Sequence, residues 1–432
     1  MTTHKIVAIK SKSLSRGRQP SESRRWFVLS VISLSMLAIL DCVARAESPT
    51  ATAAAISTAS NSPSPTDQTP KIVARDPAGH GLLCHLDGKT ILLAHGTPEQ
   101  IGEAHGTLLK DEINHLVRRS LYLLGTLDTL GGETWFFDRM AEIERRTSPH
   151  IPARYYAEID ALSQAAGLSQ RDGRYANLFP ERFHCSGVAV RGKASKDGRV
   201  YHARVLDYMS DANLQSSAAI QVYLPDGRNA WLSVGYAGFV GTVTAMNEKG
   251  LAVGEMGGRG LGDWDGMPMS LLLRDIMERA SNVDEALEIL RNTPRTCEYY
   301  YIFSDKSRNI AGVHATPQEV GVLKPGEQNP LLPFVPEDTV LISADERACV
   351  LSDRLKANAG QIDAAKLIEV IKRPVAARQN LHNAIFSPED LDLWFADAGK
   401  HSPACDERYA HCNLGALIKF YKQALSDGGK AE

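Results

Sequence analysis

The hydrophobic period of this chain changes at Cys185, and that change narrows the available folds more than any other feature of the sequence. Upstream, Ile101, Leu108, Leu109, Ile113, Leu116 and Val117 recur at near-helical spacing. They follow Thr97-Pro98-Glu99, which offers a cap, a proline at the first helical position and an acid in the first turn. A second helix is expected from about Pro152 through Tyr156, Ile159, Leu162 and Ala166, stopping at Gly167. From Cys185 onward the pattern is that of strands. Val188 and Val190, then Val200, Tyr201 and Ala203, flank Lys196-Asp197-Gly198, which reads as a hairpin with Asp-Gly at the turn.

A short hairpin is expected at 82–93, and further strands at 220–224, 230–234, 241–246, 251–254, 299–303, 310–314, 340–343, 381–386 and 391–396. Helices are expected at 269–280, from the capping-box-like Ser281-Asn282-Val283-Asp284 through Leu290, and at 367–371. Because helices interrupt the strands in a block rather than alternately, the pattern predicts an α+β fold, packed sheets covered by helix layers.

With 43% hydrophobic residues, 432 residues can bury one large core or two modest ones. A formal net charge of −3 gives no reason to expect a nucleic-acid partner. The basic residues near the N-terminus belong to an expected signal peptide, residues 1–46: a basic region up to Arg24-Arg25, an apolar stretch from Trp26 to Leu40, then Ala44-Arg45-Ala46. Cleavage after Ala46 would export the chain to a periplasmic or extracellular location, discard Cys42 and leave no stable membrane span. The alternative is an uncleaved N-terminal anchor. Residues 47–72 hold almost no bulky apolar side chains and read as a disordered linker. Two regions follow, a mainly helical 73–184 and a strand-rich 185–432.

Cys185 immediately precedes a strand, whereas a papain-like cysteine would open a helix whose dipole lowers its pKa. A thiol in this position suits a different design. If the bond between His184 and Cys185 is cut, the new α-amine beside the sulfur can act as general base. The next strand ends in His202-Ala203-Arg204-Val205-Leu206-Asp207, so the hairpin brings Arg204 and Asp207 near Cys185. Arg204 could stabilise a thiolate or a substrate carboxylate, and Asp207 could orient the amine. The plainer alternatives are a buried structural cysteine and a surface ion pair. His401, Cys405, His411 and Cys412 match no zinc spacing; a Cys405–Cys412 disulfide or free thiols are the main options, with metal the least supported. His314 and His382 fall in strands, as core or rim residues. Gly257-Gly258-Arg259-Gly260-Leu261-Gly262 reads as a loop at the rim of the site rather than a phosphate loop.

Together, Cys185-Ser186-Gly187, the Lys-Asp-Gly hairpin, Ala203-Arg204-Val205-Leu206-Asp207 and Met246-Asn247-Glu248-Lys249-Gly250-Leu251 resemble the choloylglycine hydrolase and penicillin V acylase superfamily of N-terminal-nucleophile enzymes. The segment from Gly96 to Gly106, and that from Ala157 through Leu168-Ser169 to Asn177 and Glu181, resemble the pro-segment of its isopenicillin N acyltransferase branch, the C45 peptidase family. The resemblance covers roughly residues 80–400. It implies a four-layer αββα fold with two packed antiparallel sheets, self-cleavage between His184 and Cys185, and α and β chains (73–184 and 185–432) that stay associated. It also implies Cys185 as nucleophile and base, flanked by Arg204 and Asp207. An oxyanion-hole asparagine of the superfamily is replaced here, with Gly257 as nearest counterpart. Ser343 falls near a second such asparagine, Asn247 lies in the shared motif, and Arg354 is the candidate for a distal arginine. The expected function is cysteine-dependent acyl transfer on a small-molecule amide or acyl substrate through a thioester, with hydrolysis favoured over synthesis and no cofactor or metal required. The rival is a binding or scaffold protein that keeps the fold without turnover.

Overall fold

Alternation along β4 (Ser186–Gly192) and β5 (Gly198–Asp207) sends their side chains to two different layers. Val188, Val190, Tyr201, Ala203 and Val205 pack under helices, whereas Cys185, Ala189, Val200 and Leu206 face a second sheet. The computed structural model describes residues 69–428 apart from 127–128, 130–134, 179–184, 209, 259–261 and 330–331. All of these fall in one compact unit, Pro65–Glu432.

The sheet containing β4 and β5 has six strands in the order β13-β4-β5-β14-β15-β16, all pairs antiparallel. Its other members are β13 (Thr339–Ile342), β14 (Asn380–Ser387), β15 (Asp392–Asp397) and β16 (Ala410–Asn413). The facing sheet has ten strands, ordered β1-β2-β3-β6-β7-β8-β9-β10-β11-β12. These are β1 (Lys71–Arg75), β2 (Gly81–Leu86), β3 (Lys89–Gly96), β6 (Ala218–Pro225), β7 (Trp231–Tyr236), β8 (Thr244–Asn247), β9 (Leu251–Gly257), β10 (Tyr299–Asp305), β11 (Ile310–Ala315) and β12 (Val320–Leu323). The four layers expected from the family resemblance are present, with one difference. β3 and β6 run parallel, so the larger sheet is mixed. A parallel neighbour needs a crossover, and here it is the whole stretch from 97 to 217, helices and the β4–β5 hairpin included.

The outer helices on the ten-stranded sheet are α1 (Pro98–Leu108), α2 (Lys110–Val117), α3 (Phe136–Thr147), α4 (Ala153–Ala166), α5 (Gln170–Asn177), α6 (Met269–Arg279) and α7 (Val283–Asn292). Thr97 caps α1 in a full capping box: its hydroxyl accepts from the Gln100 N–H, and the Gln100 side chain accepts from the Thr97 N–H at 2.9 Å. The expected single helix is interrupted at Leu109, where the backbone leaves helical values. Gly102 is where α1 meets α4, because a Cβ there would lie 2.2 Å from the Glu158 carbonyl oxygen. α4 stops at Gly167 as expected, with φ of 76°. On the other side, α8 (Asp345–Ala357) and α9 (Ala364–Val370) cover the six-stranded sheet. α10 (Leu414–Gly428) buries Leu414, Leu417, Tyr421 and Ala424 against strands of both sheets.

Two local expectations change, and one open alternative is decided. Lys71 and Ile72, placed in the linker by composition, pair with His85 and Cys84 as part of β1. The β4–β5 connection is longer than an Asp-Gly turn: Gly192 pairs with Gly198, and five residues separate them. Cys405 and Cys412 are both free and buried, and they belong to different apolar clusters, Cys405 outside the six-stranded sheet and Cys412 between the sheets. Alternation past β15 thus puts the two sulfurs in separate layers, and no disulfide forms. Cys42, Ala46, His184 and most of the linker lie outside the described residues.

Buried contacts tie the region before Cys185 to the region after it. Arg274 on α6 donates to Glu158 on α4 from both terminal nitrogens at 2.6 Å and to Glu278 at 2.7 Å, with all three side chains withdrawn from solvent. Its guanidinium also lies over Tyr155, Tyr223 and Trp231. Separately, Asn177 on α5 accepts from the Val240 N–H and donates to the Gly238 carbonyl.

Candidate active site

Gly187, two residues beyond Cys185, pairs with Arg204 across the β4–β5 ladder. Cys185 is 5% exposed and sits in an apolar cluster between the sheets with Leu206, Leu214, Met256 and Ile302. A backbone hydrogen bond from Asp207 reaches its sulfur. Burial pushes the thiol up to about 12. Arg204 opposes that shift, while Glu255 and Asp207 add to it. Arg204 thus acts in the expected direction, but in the uncut chain desolvation is the larger effect.

Arg204 is fully buried and pairs with Glu255 on β9 through Nη2 at 3.3 Å. The exposed ion pair weighed as an alternative is ruled out by this burial. Arg204 fits because residue 254 has no side chain: a Cβ on Gly254 would stand 2.6 Å from Cγ of Arg204. The Nε and Nη1 atoms of Arg204 and Oε1 of Glu255 have no partner among the described residues, so the pair keeps hydrogen-bonding capacity in reserve. Burial outweighs Arg204 and raises Glu255 to about 7.

Asp207 stands three residues beyond Arg204 and so leaves the strand on the opposite side. Its carboxylate accepts from Arg347 on α8 and, at 3.0 Å, from the Ala377 N–H. Burial raises its pKa, against those two partners and Arg204. Arg204 and Asp207 thus both adjoin Cys185 while belonging to different layers.

The other expected residues divide. Ser343 follows β13 beside the start of β4, but its hydroxyl is 2.7 Å from that of Ser186. Gly257 ends β9, paired with Tyr299. Asn247 has no capacity left for a substrate: its amide donates to the carbonyls of Met277 and Ala280 at the end of α6, and its oxygen accepts from the N–H groups of Lys249 and Leu251. Arg354 donates to the carbonyls of Val370, Lys372 and Arg373 at the end of α9, so it closes a helix and does not reach the site. Sequence reasoning missed Glu255, Arg347 and Tyr236. Tyr236 packs against the Cys185 cluster and is hydrogen-bonded to His382 at 2.9 Å. Beyond the site, His314 bonds to Glu298 at 3.1 Å and His411 to Asp392 at 3.1 Å.

Two sheets packed between helix layers, with a cysteine opening a strand on an inner face, are the arrangement expected of the N-terminal-nucleophile superfamily that the motifs resemble. Within it, the model of the acyl-coenzyme A:6-aminopenicillanic acid acyl-transferase family matches residues 194–326, which bears out the resemblance read from the motifs. Protein dcd1B of Dictyostelium discoideum is 26% identical over 248 residues, covering 52% of this chain and 49% of that protein. The N-acylethanolamine-hydrolyzing acid amidase of Rattus norvegicus is 23% identical over 184 residues, covering 40% and 50%. The chain spans about half the length of these two curated relatives. The Caenorhabditis elegans N-acylethanolamine-hydrolyzing acid amidase ortholog aligns over 48% of this chain and 93% of its own, with 16% identity and a TM-score of 0.38.

Proposed function

We propose that this protein is an exported, self-cleaving cysteine amidohydrolase that acts on a small N-acyl amide. The observation that carries the proposal is the position of Cys185, at the head of an inner strand, hydrogen-bonded from Asp207 and next to a buried Arg204–Glu255 pair. In self-cleavage the Cys185 sulfur attacks the His184 carbonyl, the thiol proton passes to the amide nitrogen, which leaves as the α-amine of Cys185, and water hydrolyses the resulting thioester to free the thiol and the His184 carboxylate. The released amine then takes the thiol proton as the sulfur adds to a substrate carbonyl. It returns that proton to the departing amine, and water resolves the thioester to a carboxylic acid.

An apolar acyl group suits the site, because Leu116, Tyr208, Ala212, Leu214 and Tyr300 pack with Cys185 in one cluster. An amide substrate also agrees with the acid amidase among the relatives. The two chains would remain together through the Arg274–Glu158 pair and the β3–β6 ladder. Intact-mass analysis of the purified protein tests the reading: two chains meeting at His184/Cys185 are expected, and an uncut chain with full amidase activity would overturn it.

A further inference from the structure

The mechanism needs a donor for the oxygen that becomes negative when the Cys185 sulfur adds to a carbonyl. Asn247 is committed elsewhere and the Ser343 hydroxyl is tied to Ser186, which leaves the expected oxyanion hole short of a side chain. Tyr236 ends β7, is half-buried and packs against the cluster that holds Cys185. Its hydroxyl lies 2.9 Å from Nδ1 of His382, whose Nε2 lies 2.9 Å from Oγ1 of Thr244. The two rings are stacked, with centroids 6.0 Å apart and planes at 24°. His382 and Thr244 are wholly buried.

Burial, with Arg204 adding to it, holds His382 well below the usual histidine range, so the ring carries a single proton. In the Nδ1–H tautomer, Thr244 donates to Nε2 and the ring donates to the Tyr236 oxygen. The phenolic hydrogen is then left for a third partner. Cys185 and Arg204 are both within electrostatic reach of this hydroxyl.

We infer that Tyr236 is the side-chain oxyanion donor, and that His382 and Thr244 are positioning residues that fix the direction of its hydroxyl. The inference rests on Cys185 being the nucleophile, and its test separates the two. In self-cleaved protein, Tyr236→Phe is expected to lower kcat for an amide substrate by about 10²-fold, with KM little changed. The rate of Cys185 alkylation by iodoacetamide should not change, because displacement at a saturated carbon forms no oxyanion. His382→Asn should lower kcat by a smaller factor, and the Tyr236→Phe/His382→Asn double variant should be no worse than Tyr236→Phe alone. An unchanged kcat in Tyr236→Phe overturns the inference, as does an alkylation rate that falls in step with turnover, since that marks a general structural role. A wild-type protein that is neither cleaved nor labelled at Cys185 overturns the underlying reading instead.

Discussion

Arg204 and Glu255 pair at 3.3 Å between β5 of one sheet and β9 of the other, and neither side chain reaches solvent. Breaking such a pair from one side strands a charge, whereas replacing both partners by apolar groups removes the desolvation cost along with the attraction. Glu255→Gln resembles the protonated acid that burial already favours and should cost little near pH 7, whereas Glu255→Leu strands the Arg204 charge and is expected to lower unfolding free energy by about 3–5 kcal/mol. The double variant Arg204→Met/Glu255→Leu should recover most of that loss while remaining inactive. Urea denaturation read alongside turnover separates these outcomes, and a Glu255→Leu protein as stable as wild type would show that water or relaxation satisfies Arg204.

The same reasoning applies to Arg274, which faces Glu158 across the expected cleavage point and Glu278 along its own helix. Arg274→Met leaves the buried Glu158 without its partner and Glu278 with Arg154 only. It should cost about 3–5 kcal/mol and, in cleaved protein, allow the chains to separate at a lower urea concentration. Size-exclusion chromatography across a urea series would show the shift. Co-elution of both chains to the wild-type midpoint would mean that the β3–β6 ladder and the Asn177 and His105 contacts hold them without Arg274.

Cys185 should differ in reactivity before and after cleavage. In the uncut chain burial takes the thiol to about 12, so alkylation at pH 7.5 is expected to be slow. Cleavage would open the site to water and place an amine beside the sulfur. Labelling of Cys185 should then rise by at least an order of magnitude relative to Cys84 or Cys412, whose thiols burial also pushes up to about 12. Peptide mapping that finds equal labelling in both forms would count against activation by cleavage.

Arg204→Lys keeps the charge but not the planar fork that meets Glu255, and Asp207→Asn removes the carboxylate that holds Arg347. Both should fold. Asp207→Asn should lose about 10²–10⁴-fold in turnover, and Arg204→Lys should also fall despite its conserved charge. Unchanged kinetics in both variants, in folded and processed protein, would show that the residues flanking Cys185 do not serve its chemistry.

What could be read from the sequence followed from local periodicity. The α1 cap at Thr97, the stop at Gly167 and the strands on either side of Cys185 all rest on residues close together in the chain. β12 and β16 were missed because β12 has no fully buried residue and β16 sets a small alanine and a cysteine between polar residues, so neither shows an unbroken apolar run. The parallel pairing of β3 with β6 depends on a crossover of more than a hundred residues, which no local signal encodes. In the site, the spacing of Arg204 and Asp207 already implied opposite faces of a strand. Glu255 and Arg347 could not be found that way, since each meets its partner only through the packing of separate layers. Asn247 misled because a motif position says nothing of what a side chain is already bonded to.

The response of stability to acid follows from three buried imidazoles. Burial lowers His105 and His202 to about 3 and holds His382 well below its ordinary value. Each is hydrogen-bonded as a neutral ring: His105 to Tyr223 and the Gly238 N–H, His202 to Ser304, His382 to Tyr236 and Thr244. Between pH 6.5 and 3 the unfolded chain binds protons at these positions and the folded chain does not, so stability falls as the pH falls through that window. Glu255 works in the opposite direction. Raised to about 7, it binds a proton in the folded state that the unfolded state releases above about 4.5, which favours the fold toward lower pH over that interval. Asp207 and Glu158, which burial also raises, act with Glu255, but the three depressed histidines dominate, and stability is expected to fall from pH 6.5 to 4. Thermal midpoints measured across that range should drop steeply, and His105→Gln should flatten the drop by removing one of the three titrations. A midpoint that stayed level to pH 4 in wild type would mean that water reaches these rings and that their burial is relieved in solution.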